Sequence, residues 1–117
     1  MIDKVRDGKE RRVLKRRHLL FYLEISNKPT GEILGHLGDI TVDGLMIISP
    51  RLIPIGQRLD VMVSLPNLKE FDQSRFEAQV ETLWSHPDFN TVINCYGSRL
   101  VYIHTDIPSL IQHLIRV

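Results

Sequence analysis

A chain of 117 residues is long enough for one domain with its own core and too short for two. With 43% apolar and 25% charged residues the composition is that of a globular protein, and no apolar run approaches the roughly 20 residues of a bilayer span. Cys95, the single cysteine, excludes an internal disulfide, and the net charge of +1 is unevenly spread: residues 1–17 hold eight lysines and arginines against three acids, a net of +5, which leaves −4 for residues 18–117.

The basic segment comes first. Residues 1–17 have almost no apolar periodicity and read as a flexible arm suited to an anionic partner, whether nucleotide, nucleic acid or lipid headgroup. The first residues are charged and lead into no apolar segment, so a cytoplasmic location is expected. Residues 18–25 are rich in strand formers, with Leu19, Phe21, Leu23 and Ile25 on one face. Asn27, Pro29 and Gly31 then mark a turn. Residues 32–40 form a second strand, which Gly35 and Gly38 weaken in the manner of a bulge or a close backbone approach.

Next is Asp39-Ile40-Thr41-Val42-Asp43-Gly44. If Ile40 and Val42 belong to the pleat ends, Asp39 and Thr41 project from a common face, and Gly44 is free to take a positive φ and lets backbone N–H groups come near an anion. An Asp-Gly pair between two apolar runs is also an ordinary hairpin turn. Residues 45–48 supply a third strand and residues 49–56 a loop. Leu59, Val61, Val63 and Leu65 alternate with mostly polar neighbours in a fourth strand. In the fifth, Phe76, Ala78, Val80, Thr82 and Trp84 occupy the inward positions, so Trp84 is expected in the core rather than as a base-stacking platform. Residues 86–88 break that strand, residues 91–104 provide one long strand or two with Gly97 as a kink, and Cys95 reads as a small buried apolar residue. In the tail, Ile107, Leu110, Ile111, Leu114 and Ile115 follow one helical face behind Pro108. Short strands adjacent in sequence followed by one amphipathic helix predict a mainly β fold: an antiparallel barrel capped by a C-terminal helix, over residues 18–117.

Two motifs stand out together. Arg12-Val13-Leu14-Lys15-Arg16 places two arginines four apart, and Asp39, Thr41 and Gly44 follow one strand later. In this order they resemble the signature of the PilZ domain family, Arg-x-x-x-Arg followed by Asp-x-Ser-x-x-Gly, with Thr41 where the family usually has serine. Threonine keeps the hydroxyl and adds a methyl that restricts χ1. The resemblance runs from about Glu10 to the C-terminus. It implies a six-stranded barrel with a helix that binds the bacterial second messenger cyclic di-GMP through Arg12, Arg16, Asp39, Thr41 and Gly44. In proteins resembling this one, the residue before the arginine motif, here Arg11, is associated with whether one messenger molecule or a stacked pair is bound. A third guanidinium there leads to an expectation of two per chain. The chemistry fits the text: a guanidinium fork donates to guanine O6 and N7 or to phosphate, and a carboxylate accepts from guanine N1 and N2.

Other chemistries have less support. His18, His36, His86, His104 and His113 lack metal-ligand spacing, so neither a metal nor another cofactor is expected. No nucleophile elbow is present, and Glu77 and Glu81 share the solvent face of a strand rather than forming a catalytic dyad, so the chain reads as a binding protein and not an enzyme. The expected partners are cyclic di-GMP and a downstream protein, with a homodimer possible. Two alternatives remain: a PilZ-type interaction module that acts without nucleotide, and a small basic-armed barrel that binds nucleic acid. The acidic body and sparse outward aromatics, chiefly Tyr22, weigh against nucleic acid.

Overall fold

The computed structural model describes residues 18–19, 21–69, 71, 73–87, 92–103 and 106–116. Arg11, Arg12 and Arg16, with the rest of the arm, lie outside the described residues. The elements in chain order are β1 (His18–Leu19), β2 (Glu24–Asn27), β3 (Ile33–Ile40), β4 (Gly44–Ser49), β5 (Arg58–Ser64), β6 (Arg75–Pro87), β7 (Asn94–Ile103), α1 (Ile107–Leu114) and β8 (Ile115–Arg116). Six of the strands close into an antiparallel barrel in the order β2-β3-β4-β7-β6-β5, and β5 returns to β2 through Ile25 opposite Val63. The six-stranded barrel with a C-terminal helix expected from the sequence is therefore the architecture observed. Among the described residues no helix is long and apolar enough to cross a membrane.

Alternation builds the core. Leu45 and Ile47 of β4, Val61 and Val63 of β5, and Phe76, Ala78 and Val80 of β6 all point inward and are buried. Glu77 and Glu81, between them, face outward and are only partly covered. Ile107, Leu110 and Leu114, three and then four residues apart on α1, join the same cluster, and Cys95 is buried as expected.

Near both ends of the described chain the structure departs from the simplest periodic reading. The stretch expected as a single first strand divides into β1 and β2. β1 turns away to pair with β8, with Leu19 opposite Ile115. The same pairing ends α1 at Leu114, one residue short of the apolar helical repeat, because Ile115 is drawn into an extended ribbon. Leu23 nevertheless stays inward, and its carbonyl accepts the Leu37 N–H at 2.9 Å.

The loop between β4 and β5 is fastened by buried hydroxyls, two of them on β7 and β6. Tyr96 donates to the Arg51 carbonyl at 2.8 Å and accepts the Ile53 N–H at 3.1 Å. Thr82, wholly buried, donates to the Pro54 carbonyl at 2.7 Å and accepts the Gln57 N–H at 3.2 Å. Thr82→Val keeps the shape and leaves both loop groups without that partner, so it is expected to cost about 1–3 kcal/mol. Chemical denaturation reads this directly; a valine variant with an unchanged midpoint would show that the loop does not depend on the hydroxyl.

Candidate functional site

Asp39 reaches the barrel exterior through a register fault. Leu34, Leu37 and Ile40 are the buried residues of β3, spaced by three rather than two, and the pairing with β4 slips between Leu37 and Asp39, at Gly38. Strict alternation would put residue 39 on the same face as Leu37, inside the barrel; the extra residue turns it out. The bulge and close approach expected at Gly35 and Gly38 are both present. A Cβ on Gly35 would meet the Ile48 carbonyl oxygen, and one on Gly38 would lie 2.8 Å from the Ile48 and Met46 side chains.

The turn after β3 is organised by Thr41. Its hydroxyl oxygen accepts the backbone N–H groups of Asp43 at 3.2 Å and Gly44 at 3.1 Å, while the Thr41 N–H donates to the Gly44 carbonyl at 2.9 Å. With its oxygen so engaged, the hydroxyl retains its hydrogen for donation outward. The Asp39 carboxylate accepts the Ile40 N–H at 2.8 Å.

The reading of Gly44 is corrected in two respects. Its φ is not positive, since among the described glycines only Gly31 and Gly56 are left-handed. Nor is its N–H turned outward, because Thr41 takes it. What glycine provides is clearance: a Cβ here would sit 2.0 Å from the Ser98 carbonyl oxygen of β7.

Trp84 overturns the expectation of a core residue. Thr82 is the last inward side chain of β6; the β6–β7 register then slips between Thr82 and Trp84, and both Leu83 and Trp84 emerge half-exposed. Period-2 extrapolation fails at that extra residue. The indole lies over Gly97, where an added Cβ would fall 2.1 Å from its Cε2 atom, and it stacks on the His86 ring at 5.1 Å and 4°. Gly97, proposed as a kink, is instead the floor on which the indole rests.

These features meet in an open cleft of about 290 Å³, lined by Asp39, Thr41, Asp43, Gly44, Trp84 and Arg99 together with parts of β4 and β7. The three turn residues singled out in the sequence are thus brought together, and Trp84 and Arg99 join them. Arg99 is opposite Gly44 on one side and Glu81 on the other; its Nε and Nη2 both reach Glu81 Oε1, at 2.9 and 2.6 Å. The cleft therefore offers carboxylate acceptors, a hydroxyl, an aromatic face and one guanidinium. This is recognition chemistry for a planar, donor-rich group beside an anion.

A second depression, of about 200 Å³, lies at Lys28, Asp60, Glu77, Gln79 and Tyr102. Its polar groups bond one another: Lys28 Nζ meets Glu77 at 2.8 Å, and Gln79 donates to Asp60 at 3.1 Å. The hydrogen bond and charge of Glu77 hold the Lys28 amine above its usual range. Such a self-paired surface has less to offer a ligand than the Asp39 cleft. Comparison of the chain with family models, with curated proteins and with solved structures finds no match.

Proposed function

We propose that the protein is a cyclic di-GMP receptor of the PilZ type, acting by binding and not by catalysis. The observation that carries this reading is the convergence of Asp39, Thr41 and Gly44 with the half-exposed indole of Trp84 in one cleft. A guanine fits that combination: its N1 and N2 donors suit Asp39, its plane suits the indole, and the Thr41 hydroxyl can donate to a ligand oxygen. What the cleft lacks is enough positive charge for two phosphodiesters, since it presents Asp39 and Asp43 against Arg99 alone among its described lining residues.

The arm has that charge, and the chain path favours its delivery. β2 and β3 are antiparallel, with Glu24 opposite His36, so the chain read backward from Glu24 travels toward the Asp39 end of β3, and β1 lies against β3. Arg16 is two residues before β1 and Arg12 six. At about 3.3–3.6 Å per extended residue both are within reach of the barrel surface. Arg12 and Arg16, with Arg11 as a third cation, would neutralise phosphate and read or stack on guanine. Ordering about six arm residues costs roughly 1–2 kcal/mol each; several charge-assisted contacts at about 1.5–3 kcal/mol each offset this. The messenger would thereby change the surface seen by a downstream protein partner.

Titration calorimetry with cyclic di-GMP, and GMP as control, tests the reading. Arg16→Ala is expected to remove most of the affinity, on the order of tenfold or more for the loss of a charged fork. No heat from the unmutated protein sinks the receptor function, and an unchanged constant in the variant sinks the role of Arg16. The outward Trp84 and the strongly exposed Tyr22 favour one second reading, a single-strand nucleic-acid binder, more than the sequence did. A homopolymeric oligonucleotide that outcompetes cyclic di-GMP in the same titration would establish it.

A further inference from the structure

Across the outside of the barrel, four strands place Gly44, Arg99, Glu81 and Arg58 in one register row, on β4, β7, β6 and β5. Residues directly opposite on neighbouring strands share a face and stand about 4.5–5.5 Å apart at Cβ. Glu81 therefore has an arginine on each side. It is bonded to Arg99, which lines the cleft, while Arg58 is exposed and makes no ion pair among the described residues. Gly44, on the other flank of Arg99, has no side chain, so the space beside the guanidinium opens into the cleft.

We propose that Arg99 is a phosphodiester-contact residue held in reserve by Glu81, and that an anion entering the cleft takes Arg99 while Glu81 passes to Arg58. The inference rests on the reading of the cleft as a phosphodiester site and assigns it a cation and a relay, both composed of described residues. Two facts favour exchange over a fixed pair. The Arg99 and Glu81 side chains are 48% and 27% exposed, and solvent weakens such pairs, so a ligand can replace the carboxylate at small cost. The carboxylate, once displaced, is not stranded, because Arg58 stands across the next ladder. Occupation of the cleft on the β4–β7 side is thus converted into a changed charge pattern at β5, two strands away, without movement of the backbone. This is a ligand-driven rearrangement between two arrangements of the same three charges.

Calorimetric titration of cyclic di-GMP into the unmutated protein and into Glu81→Gln, Arg99→Ala, Arg58→Ala and paired variants reads the exchange. Glu81→Gln is expected to tighten binding about threefold, the scale of an exposed ion pair. Arg99→Ala is expected to weaken it about tenfold, the loss of a charge-assisted bond. In the Arg99→Ala background the gain from Glu81→Gln should vanish. Arg58→Ala should weaken binding about twofold when Glu81 is present and leave it unchanged in the Glu81→Gln background. Binding that is indifferent to Arg99→Ala, or a Glu81→Gln gain that survives it, overturns the proposal while the receptor reading stands. An Arg58→Ala variant that binds like the unmutated protein overturns the hand-over. If cyclic di-GMP gives no heat with the unmutated protein, the receptor reading fails, and the same variants are titrated with inorganic pyrophosphate. A gain in Glu81→Gln that requires Arg99 then supports the reserve cation, and absence of binding by every variant overturns it.

Discussion

Trp84→Ala is expected to lower cyclic di-GMP affinity by about one to two orders of magnitude, since a base stacked on an aromatic ring is worth about 1–3 kcal/mol. Folding stability should fall by less than for a core aromatic, because the indole is 45% exposed and is not part of the buried cluster. Trp84 is also the one tryptophan of the chain, so intrinsic emission reports from the cleft itself and should be quenched as ligand stacks. Gly97→Ala offers an independent route to the same effect. Its new Cβ would fall 2.1 Å from Cε2 of Trp84, forcing the indole off its floor with the ring still present. Titrations followed by emission, with thermal melts alongside, separate the two effects. Wild-type affinity in Trp84→Ala would remove stacking from the account of the site.

The second large effect is expected at Gly44. Its missing Cβ leaves room for the Ser98 carbonyl oxygen, and a methyl group placed 2.0 Å from that atom can be admitted only if β4 and β7 move apart. Gly44→Ala should therefore cost about 1–3 kcal/mol as overpacking against backbone, or more if the ladder parts. It should also weaken ligand binding by displacing the Thr41 turn. Gly31 provides the contrast. Its φ is 75° with nothing within 4 Å of an added Cβ, so alanine there pays only for backbone conformation, about 1 kcal/mol. Unfolding midpoints by circular dichroism rank the two; a Gly44→Ala melt at or above that of Gly31→Ala would mean the strands yield without cost.

Most of the barrel was legible because one wet face and one dry face impose alternation on every regular strand. β5 and the first half of β6 can be read residue by residue, from Leu59 to Val63 and from Phe76 to Thr82. The helix was visible in the switch to a spacing of three and four. Illegible were the places where one residue is added to a strand. The slip at Gly38 turns Asp39 out, and there the glycine gave warning. The slip after Thr82 turns Trp84 out, and no glycine or proline marks it: Leu83 and Trp84 resemble any other apolar pair, and only the pairing with Gly97 shows that an indole needs that space. Arg99 was missed for a different reason. Within β7 it is one exposed charge after a run of four buried residues, and its place beside Gly44 and Glu81 depends on strands distant in sequence. Gly44 was read for the wrong property, because a Gly after Asp suggests left-handed backbone, whereas what requires glycine is the close approach of Ser98.

Closure of the barrel has a consequence for how the chain acquires its fold. The ladder between β2 and β5 joins Ile25 to Val63, and β7 inserts between β4 and β6 rather than following its own neighbour alone. The hairpins β2-β3, β3-β4, β5-β6 and β6-β7 can form locally, but none can complete the ring. Two seams, β4 to β7 and β2 to β5, join strands distant in sequence, and both must form before the ring closes, each against its own loop-closure entropy. Folding of such a chain falls among the slower, topology-limited single domains, in milliseconds to seconds, rather than with helical proteins of the same length. During that interval β2 and β5 expose unpaired edges that the finished barrel does not have, and charged residues lie along them, Glu24 and Lys28 on one side and Arg58 and Asp60 on the other, of the kind that disfavours pairing with another chain.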